Sequence, residues 1–380
     1  MKVALVRYRY SPHGGAERYL DSLAAGLGTT GVEVCLLSSR WEGTAGRGIP
    51  WEKIAVPPCP AAVRLSLFAR SIRAWADAHP DWLLFSLERV PGTEVYRAGD
   101  GCHAEWLLRK RQLRPLSWRM DYLRPLHRSY LRLEREMYRS ETLRAVVANS
   151  MRGKKEIIRH FGLPEEKISV VYNGVDLSRF PLERKEEARC ALRSRFGIGE
   201  SEPVFLFVGS GFARKGVSCL VRAAKALAER GRSFRVVIVG KGDPGPYLGD
   251  AGAAGRKLHF TGPVAGADDL FLGADAFVLP TVYEPFSNAC LEAMASGLPV
   301  ITTVVNGASE ILKDGESGFL LEDPADAAML ADRMEKLLSP DLARRMGEKA
   351  RNAGEAFPLE RNLGETLDCL TRAWKEKSGR

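Results

Sequence analysis

The sequence lacks the marks of several common protein classes. Its seven cysteines form an odd set over 380 residues with no C-x-x-C pair. That excludes a dense disulfide framework and argues against a structural zinc site. No apolar run approaches the ~18–20 residues that cross a bilayer, so no transmembrane helix is expected. The opening MKVALVRYRY offers too few apolar residues before Arg7 for a signal-peptide core, and a reduced cytoplasm is the expected location. D-x-D, H-E-x-x-H and G-x-S-x-G are all missing, and the six histidines are scattered. A zinc protease and a serine hydrolase are thereby set aside, and no bound metal is expected.

What is present is ordinary in sum, with 45% hydrophobic and 27% charged residues. That is the composition of a globular chain, and the length suggests two to three domains. The placement of charge is less ordinary. Between Glu105 and Lys155 there are 14 Lys/Arg against 5 Asp/Glu, which leaves 42 of each sign elsewhere. One segment therefore holds the whole net charge of +9, as a local anionic partner would require.

Periodicity predicts an α/β chain. Strands are expected at Lys2–Val6, Val32–Leu37 and Trp82–Ser86, with helices after the first strand and over Ala61–Ala78. Strand–helix–strand alternation implies a parallel sheet with crossover helices. A polar stretch from Asn173 to Pro203, punctuated by Gly174, Pro181, Gly197 and Gly199, marks a break. The alternation restarts with strands at Val204–Val208, Phe234–Val239, Lys257–Phe260, Asp275–Leu279 and Pro299–Thr302. Helices are expected at Val217–Glu229, Phe286–Gly297, Ala325–Leu338, Leu342–Glu355 and Leu359–Lys375. Two similar halves are the expected organisation, residues 1–172 and 173–358.

Three turns carry the chemistry. His13-Gly14-Gly15-Ala16 lies between the first strand and the first helix, where paired glycines let a ligand approach the backbone and helix amides favour an anion. A tight turn without a ligand would read the same way. Gly209 to Gly216 again follows a strand and precedes a helix. Its Arg214 and Lys215 oppose the helix macrodipole, so they need a reason beyond solvation, and phosphate binding supplies one. The third turn is Glu284-Pro-Phe-Ser-Asn-Ala-Cys-Leu-Glu292. With Pro285 in the first helical turn, the eight-residue spacing separates the carboxylates by on the order of 12 Å. Glycosidase pairs sit at ~5.5 Å or below ~10 Å, so a paired-carboxylate hydrolase fits poorly. Two carboxylates flanking the amides of Phe286–Ala289 suit a long ligand with hydroxyls at both ends and an anion between, as in a nucleotide sugar. A literal G-x-G-x-x-G, Gly240 to Gly245, is rejected as a nicotinamide fingerprint. Pro244 and Pro246 disfavour a helix opening there, and no acidic residue ends the next strand.

The run from Phe205 to Glu310 resembles the nucleotide-sugar domain of the family 4 retaining glycosyltransferases of GT-B fold. The matching residues are YNGVD at 172–176, Arg214-Lys215-Gly216, Glu284-x7-Glu292 and EAMASGLPVI at 292–301. The N-terminal half is similar to the bacterial lipopolysaccharide core glucosyltransferases within that family. It shares YRYSPHGGAER at 8–18, SSRWEG at 38–43 and VPGTEVYRAGDGCHAE at 90–105. The resemblance implies two Rossmann-like domains facing across a cleft, with the helix 359–380 packing back on the N-terminal one. It implies donor contacts from Gly14, Gly15, Asn173, Arg214, Lys215, Phe286, Ser287, Asn288, Ala289 and Glu292. Glu284 would hold sugar hydroxyls and Glu292 the ribose, while Asp100 and His103 would line the reaction centre. Ser210 stands where many members carry arginine, which leaves the charge to Arg214, and Ser287 replaces a common glycine.

The implied reaction is retaining transfer of a hexose, with glucose foremost, from a UDP-linked or related donor to a lipopolysaccharide core acceptor. No cofactor or nucleic acid takes part. A hexosyl- or mannosyltransferase for another cell-envelope glycan or glycolipid is the alternative, and a nucleotide-binding membrane adaptor the non-catalytic one. Front-face attack, with the leaving phosphate accepting the proton, is implied over a covalent intermediate. The segment 105–155 reads as the contact with an anionic membrane surface. Leu116, Met120, Leu123, Tyr130, Leu133 and Met137 recur at helical intervals, with Arg119, Arg124, Arg128, Arg132, Arg135 and Arg139 around them. A core stripe with solvated arginines would show the same pattern.

Overall fold

The computed structural model describes residues 1–10, 15–41, 50–113 and 118–379. The chain divides into two units: Met1–Tyr172 with Glu360–Arg380, and Asn173–Leu359. Among the described residues no helix is long and apolar enough to cross a membrane.

The first unit is built on short β-branched and aliphatic strands, such as KVALV over Lys2–Val6 and AVVA over Ala145–Ala148. Strands apolar on both faces suit a parallel sheet covered by helices on either side. Seven strands pair in the order Trp51–Lys53, Glu33–Ser38, Lys2–Val6, Leu83–Ser86, Val95–Arg97, Ala145–Ala148, Ile168–Val170. Every pairing in this sheet is parallel. The pleat of the first strand sorts its side chains. Val3 and Leu5 pack with Leu20, Leu23 and Leu27 of the Gly15–Thr29 helix, whereas Ala4 and Val6 face Phe68, Ile72 and Trp75 of the Ala61–Ala78 helix. The last helix, Leu359–Ser378, belongs to this unit through buried Cys369, Leu370 and Ala373. Gly26 lets it approach, since a Cβ there would stand 3.0 Å from Leu363.

The second unit carries six parallel strands in the order Leu258–Gly262, Arg235–Val239, Val204–Val208, Ala276–Leu279, Val300–Thr303, Gly318–Leu321. Read by position in the chain this is 3-2-1-4-5-6, the doubly wound Rossmann order, and the first six strands of the other sheet follow it too. Each sheet reverses direction beside its first strand. Ligands of such sheets bind outside the carboxyl ends at that reversal. The turns after Val6 and Leu87 mark the place in the first unit. Gly209–Gly216 and Thr281–Phe286 mark it in the second.

The polar stretch after Asn173 is more ordered than its composition suggests. It contains the helix Lys185–Phe196, with buried Ala188 and Leu192. Gly197 closes that helix in the left-handed region at φ 61°.

Candidate functional site

At the reversal point of the second unit the turn Gly209–Gly216 is locked to the strand end beside it. The short helix Phe212–Lys215 delivers its Arg214 carbonyl to Val282 N–H at 2.9 Å and to Thr281 Oγ1–H at 3.1 Å. Gly216 makes this possible. It sits at φ 80°, and a Cβ there would fall 1.8 Å from the Pro280 carbonyl oxygen. Arg214 and Lys215 converge on one carboxylate. Arg214 Nη1 donates to Glu284 Oε2 at 2.9 Å and to the Tyr283 carbonyl at 3.2 Å, and Lys215 Nζ donates to the same Glu284 oxygen. The side chains of Lys215 and Glu284 are only 11% and 12% exposed, so the pair is poorly screened. The Glu284 backbone is pinned in turn, with its N–H on the Val305 carbonyl and its carbonyl accepting from Gly307 N–H at 2.9 Å.

Glu292 lies in the second turn of the helix Asn288–Ala295 and accepts from Arg179 Nη1 at 3.2 Å. Arg179 is itself gripped by Asp268, through Nε at 3.1 Å and Nη2. Asn173 Nδ2 donates to Asn288 Oδ1 at 2.6 Å, so the Asn-Gly turn after Tyr172 touches the start of the same helix. The second unit thus carries Asn173 on one turn, Arg214 and Lys215 on a short helix, Glu284, Phe286 and Ser287 on a loop, and Asn288, Ala289 and Glu292 on the helix that follows it.

Two expectations here need correction. The helix does not span Phe286–Gly297. It starts at Asn288, capped by Ser287, whose Oγ accepts from Cys290 N–H at 3.3 Å. Asn306 decides the boundary by accepting the Ser287 N–H at 3.2 Å, which consumes an amide expected to face an anion. Pro285 and Phe286 therefore precede the helix, and Glu284 stands four residues before it. The second correction concerns Gly240 to Gly245. A six-residue helix, Gly245–Asp250, does open there, with Pro246 in a first turn whose N–H groups need no intrahelical partner. The glycines of this loop serve packing. A Cβ on Gly240, at φ 141°, would lie 2.1 Å from the Gly209 carbonyl oxygen, and one on Gly242 would collide with Phe212. Ser210 joins the two loops by accepting Lys241 N–H at 3.0 Å.

In the first unit, Gly15 opens the first helix, whereas Gly14 lies outside the described residues. Asp100 is 58% exposed and stands 3.9 Å from Arg89 Nη1. His103 starts the helix His103–Leu113, whose first amides are capped by a carboxylate from far along the chain. Glu134 accepts the His103 N–H at 2.6 Å and the Ala104 N–H at 3.3 Å, and it also receives Arg89 Nε at 2.8 Å. The His103 ring contacts His127, with Nε2 and Nδ1 3.0 Å apart. Burial, helped by Arg89 and His127, pushes the His103 imidazole down to about 3, so it is neutral near pH 7. Glu88, at the end of the central strand pair, is raised from the ordinary carboxyl range by burial, against the pull of Arg7. Arg89, His127, Glu134 and Asn306 escaped the sequence reading, although Glu134 is one of only five acids in the basic segment. Among the described residues, no three of His, Cys, Asp and Glu converge as metal ligands would.

The basic segment divides into parts. Glu105, buried and ringed by His160, Arg109, Arg159 and Arg152, keeps its carboxyl near 2 because these donors outweigh its burial. Part of the charge excess is therefore internal. The expected apolar stripe also splits. Leu133 and Met137 of the helix Pro125–Tyr138 belong to the core, because that helix packs its inner face on the sheet. Leu116 lies outside the described residues. Met120 and Leu123, 66% and 71% exposed, stand out on the short helix Trp118–Leu123.

With this geometry established, two family matches divide the chain. Residues 13–179 match Glycosyltransferase Family 4, and residues 189–353 match Glycosyl transferases group 1. The lipopolysaccharide glucosyltransferase WaaG of Escherichia coli is 24% identical over 98% of this chain and 99% of its own. A crystal structure of WaaG, a glycosyltransferase involved in lipopolysaccharide biosynthesis, superimposes with a TM-score of 0.85 at 24% identity over 97% of this chain and 99% of that one. A D-inositol 3-phosphate glycosyltransferase of Streptomyces scabiei is 28% identical over 95% of this chain and 86% of its own. Anabaena HepE, solved with UDP-glucose, has a TM-score of 0.72 at 20% identity, covering 97% of this chain and 99% of that one. A family 4 first half, a group 1 second half and two Rossmann-ordered sheets make this chain a glycosyltransferase of the GT-B type.

Proposed function

We propose that the protein is a retaining hexosyltransferase that uses a nucleotide diphosphate sugar, with UDP-glucose the first candidate donor. The observation that carries this reading is the convergence of Arg214 and Lys215 on Glu284 at the reversal point of the second sheet. Two cations there can receive the charge that builds on a departing diphosphate, and the carboxylate beside them can hold sugar hydroxyls. Glu292, held by Arg179, would take the ribose. The neighbour solved with UDP-glucose supports that donor class. Asp100, exposed and loosely paired, is a poor covalent nucleophile. Front-face attack is favoured, with the leaving phosphate accepting the acceptor's proton. Asp100 and His103 would line the reaction centre, and Gly14 and Gly15 would approach the phosphates. Calorimetric titration with UDP, GDP and their hexose conjugates tests the donor. The reading fails if none of them binds.

The reaction proceeds without a divalent ion on this proposal, because Arg214 and Lys215 supply the counter-charge. Rates with and without a strong chelator should agree within about twofold, and activity lost to chelator and restored by magnesium or manganese would overturn it.

The acceptor we propose is the lipopolysaccharide core, met at the cytoplasmic face of the membrane, as the resemblance to WaaG over nearly the whole chain suggests. The D-inositol 3-phosphate enzyme favours a second reading, hexosyl transfer to another phosphorylated acceptor. Product analysis with the two acceptor classes separates them. Membrane contact would rest on exposed Met120 and Leu123 with Arg124, Arg128, Arg132 and Arg135 nearby. Each cation near an anionic surface contributes about 1 kcal/mol. Arg128→Glu with Arg132→Glu should therefore abolish sedimentation with anionic vesicles at low salt and spare hydrolysis of soluble donor. Undiminished sedimentation of that double variant refutes the contact.

A further inference from the structure

The pairing of two neutral histidines in the first unit has no role in the reading above. His103 Nε2 and His127 Nδ1 lie 3.0 Å apart, so one nitrogen carries a proton and the other does not. The far nitrogen of His127, Nε2, faces Asp121 Oδ1 at 4.0 Å. A carboxylate oxygen on that side favours the proton on His127 Nε2. A neutral imidazole has only one such proton, which leaves Nδ1 bare to accept from His103 Nε2–H. His103 then keeps its own Nδ1 unprotonated. We propose that His127, oriented by Asp121, is a positioning residue that fixes His103 as the Nε2–H tautomer and so presents His103 Nδ1 as a hydrogen-bond acceptor in the reaction centre. The assignment of His103 to that centre rests on the function proposed above.

Three elements meet in this relay, which is why it can hold a ring plane. His103 and Lys110 come from the helix His103–Leu113, Asp121 and Arg124 from the short helix and its end, and His127, Tyr130 and Glu134 from Pro125–Tyr138. Lys110 Nζ donates to Asp121 Oδ1 at 2.8 Å and fixes the carboxylate. The Tyr130 ring lies 4.8 Å from that of His103, and Arg89 sits 5.4 Å over Tyr130. Glu134 holds the backbone of His103 through its N–H. The charges facing the pair are therefore Lys110, Arg89 and Arg124 against Asp121 and Glu134. Burial comes first in depressing both imidazoles, followed by Arg89 at His103 and by Lys110 at His127, so both are shifted down from the ordinary histidine value. Protonating His127 would place a second N–H against His103 Nε2–H and break the bond. Activity should therefore hold down to acid pH, with its acid limb below the usual ~6.5 of histidine.

The experiment compares His127→Ala with His127→Gln, whose amide oxygen can still accept from His103 Nε2–H. Loss of the fixed hydrogen-bond acceptor at His103 should lower kcat for His127→Ala by about 10-fold or more, with KM for the donor within about threefold. Its acid limb should move up by about one pH unit, while His127→Gln keeps the wild-type profile. Nitrogen-15 spectra of the wild-type imidazoles provide a readout independent of turnover. An Nε2–H form at His103 is expected, with the two tautomers mixed in His127→Ala. An Nδ1–H form at His103 in the wild type overturns the proposal. So does an unchanged pH profile in His127→Ala, or equal impairment of both variants. If Lys215→Ala meanwhile weakens nucleotide binding, only the relay falls. If Lys215→Ala is silent too, the reading of the donor site falls with it.

Discussion

Lys215→Ala should lower the transfer rate by about 10²–10³-fold and weaken nucleoside diphosphate binding by about tenfold, and the two numbers should differ. The rate effect follows from removing a preorganised cation from a departing diphosphate, roughly 2–4 kcal/mol of transition-state stabilisation. The binding effect is smaller because Lys215 is already engaged. Its ammonium is on Glu284, so a ground-state diphosphate exchanges one anion for another. Only the surplus of a charge-assisted contact over the existing ion pair appears as affinity. In the transition state, charge accumulates on the leaving oxygens and the surplus grows. Isothermal calorimetry with UDP and initial rates with the sugar donor measure the two terms. Equal UDP affinity in the wild type and Lys215→Ala would remove Lys215 from the phosphate site.

The sheet was legible where apolar β-branched runs stand between Gly- and Pro-rich turns. Lys2–Val6 and Val204–Val208 match the expected ranges, and Ala61–Ala78 was legible as a helix from its amphipathic spacing. The three-residue strands were not. Val95–Arg97 and Ile168–Val170 carry too few residues for a period of two to register, and their positions are set by parallel pairing with distant neighbours. The helix Lys185–Phe196 was hidden for a different reason. Only a narrow face is apolar, and the rest is charged, as in Arg193, which reaches Asp275 across 82 positions.

The site shows the same division. Arg214, Lys215 and Glu284 could be picked out because each stands at a turn with its own local logic, strand to glycine to helix. That all three would share one carboxylate oxygen could not be read, because the Gly216–Pro280 contact that brings the loops together is non-local. The helix boundary at Asn288 failed for a similar reason. Local preference places Pro285 at the first helical position, but the Asn306 side chain, 19 residues on, takes the Ser287 amide. Likewise the apolar spacing of Leu133 and Met137 was visible, while the sheet beneath them was not.

Glu284→Gln should separate turnover from nucleotide binding more sharply than any other single change. The amide keeps the shape of the side chain and removes the charge that Arg214 and Lys215 now share. Two cations are then left poorly compensated in a half-buried site, at a cost of about 1–3 kcal/mol of stability in the unliganded protein. A bound diphosphate replaces the missing anion. UDP should therefore bind as tightly as in the wild type or more tightly, and its addition should raise the melting temperature of Glu284→Gln by more than it raises that of the wild type. Turnover should fall by about 10²–10³-fold, because the sugar hydroxyls lose an anionic acceptor as the ring gains oxocarbenium character. The double variant with Lys215→Ala tests the shared contact directly. Residues in one ion-pair network are non-additive by about 0.5–3 kcal/mol, so replacing Lys215 should cost more UDP affinity in the Glu284→Gln background than in the wild type. If Glu284→Gln instead weakens UDP binding as much as Lys215→Ala does, Glu284 is a scaffold for the phosphate turn and not the counter-anion that the donor displaces.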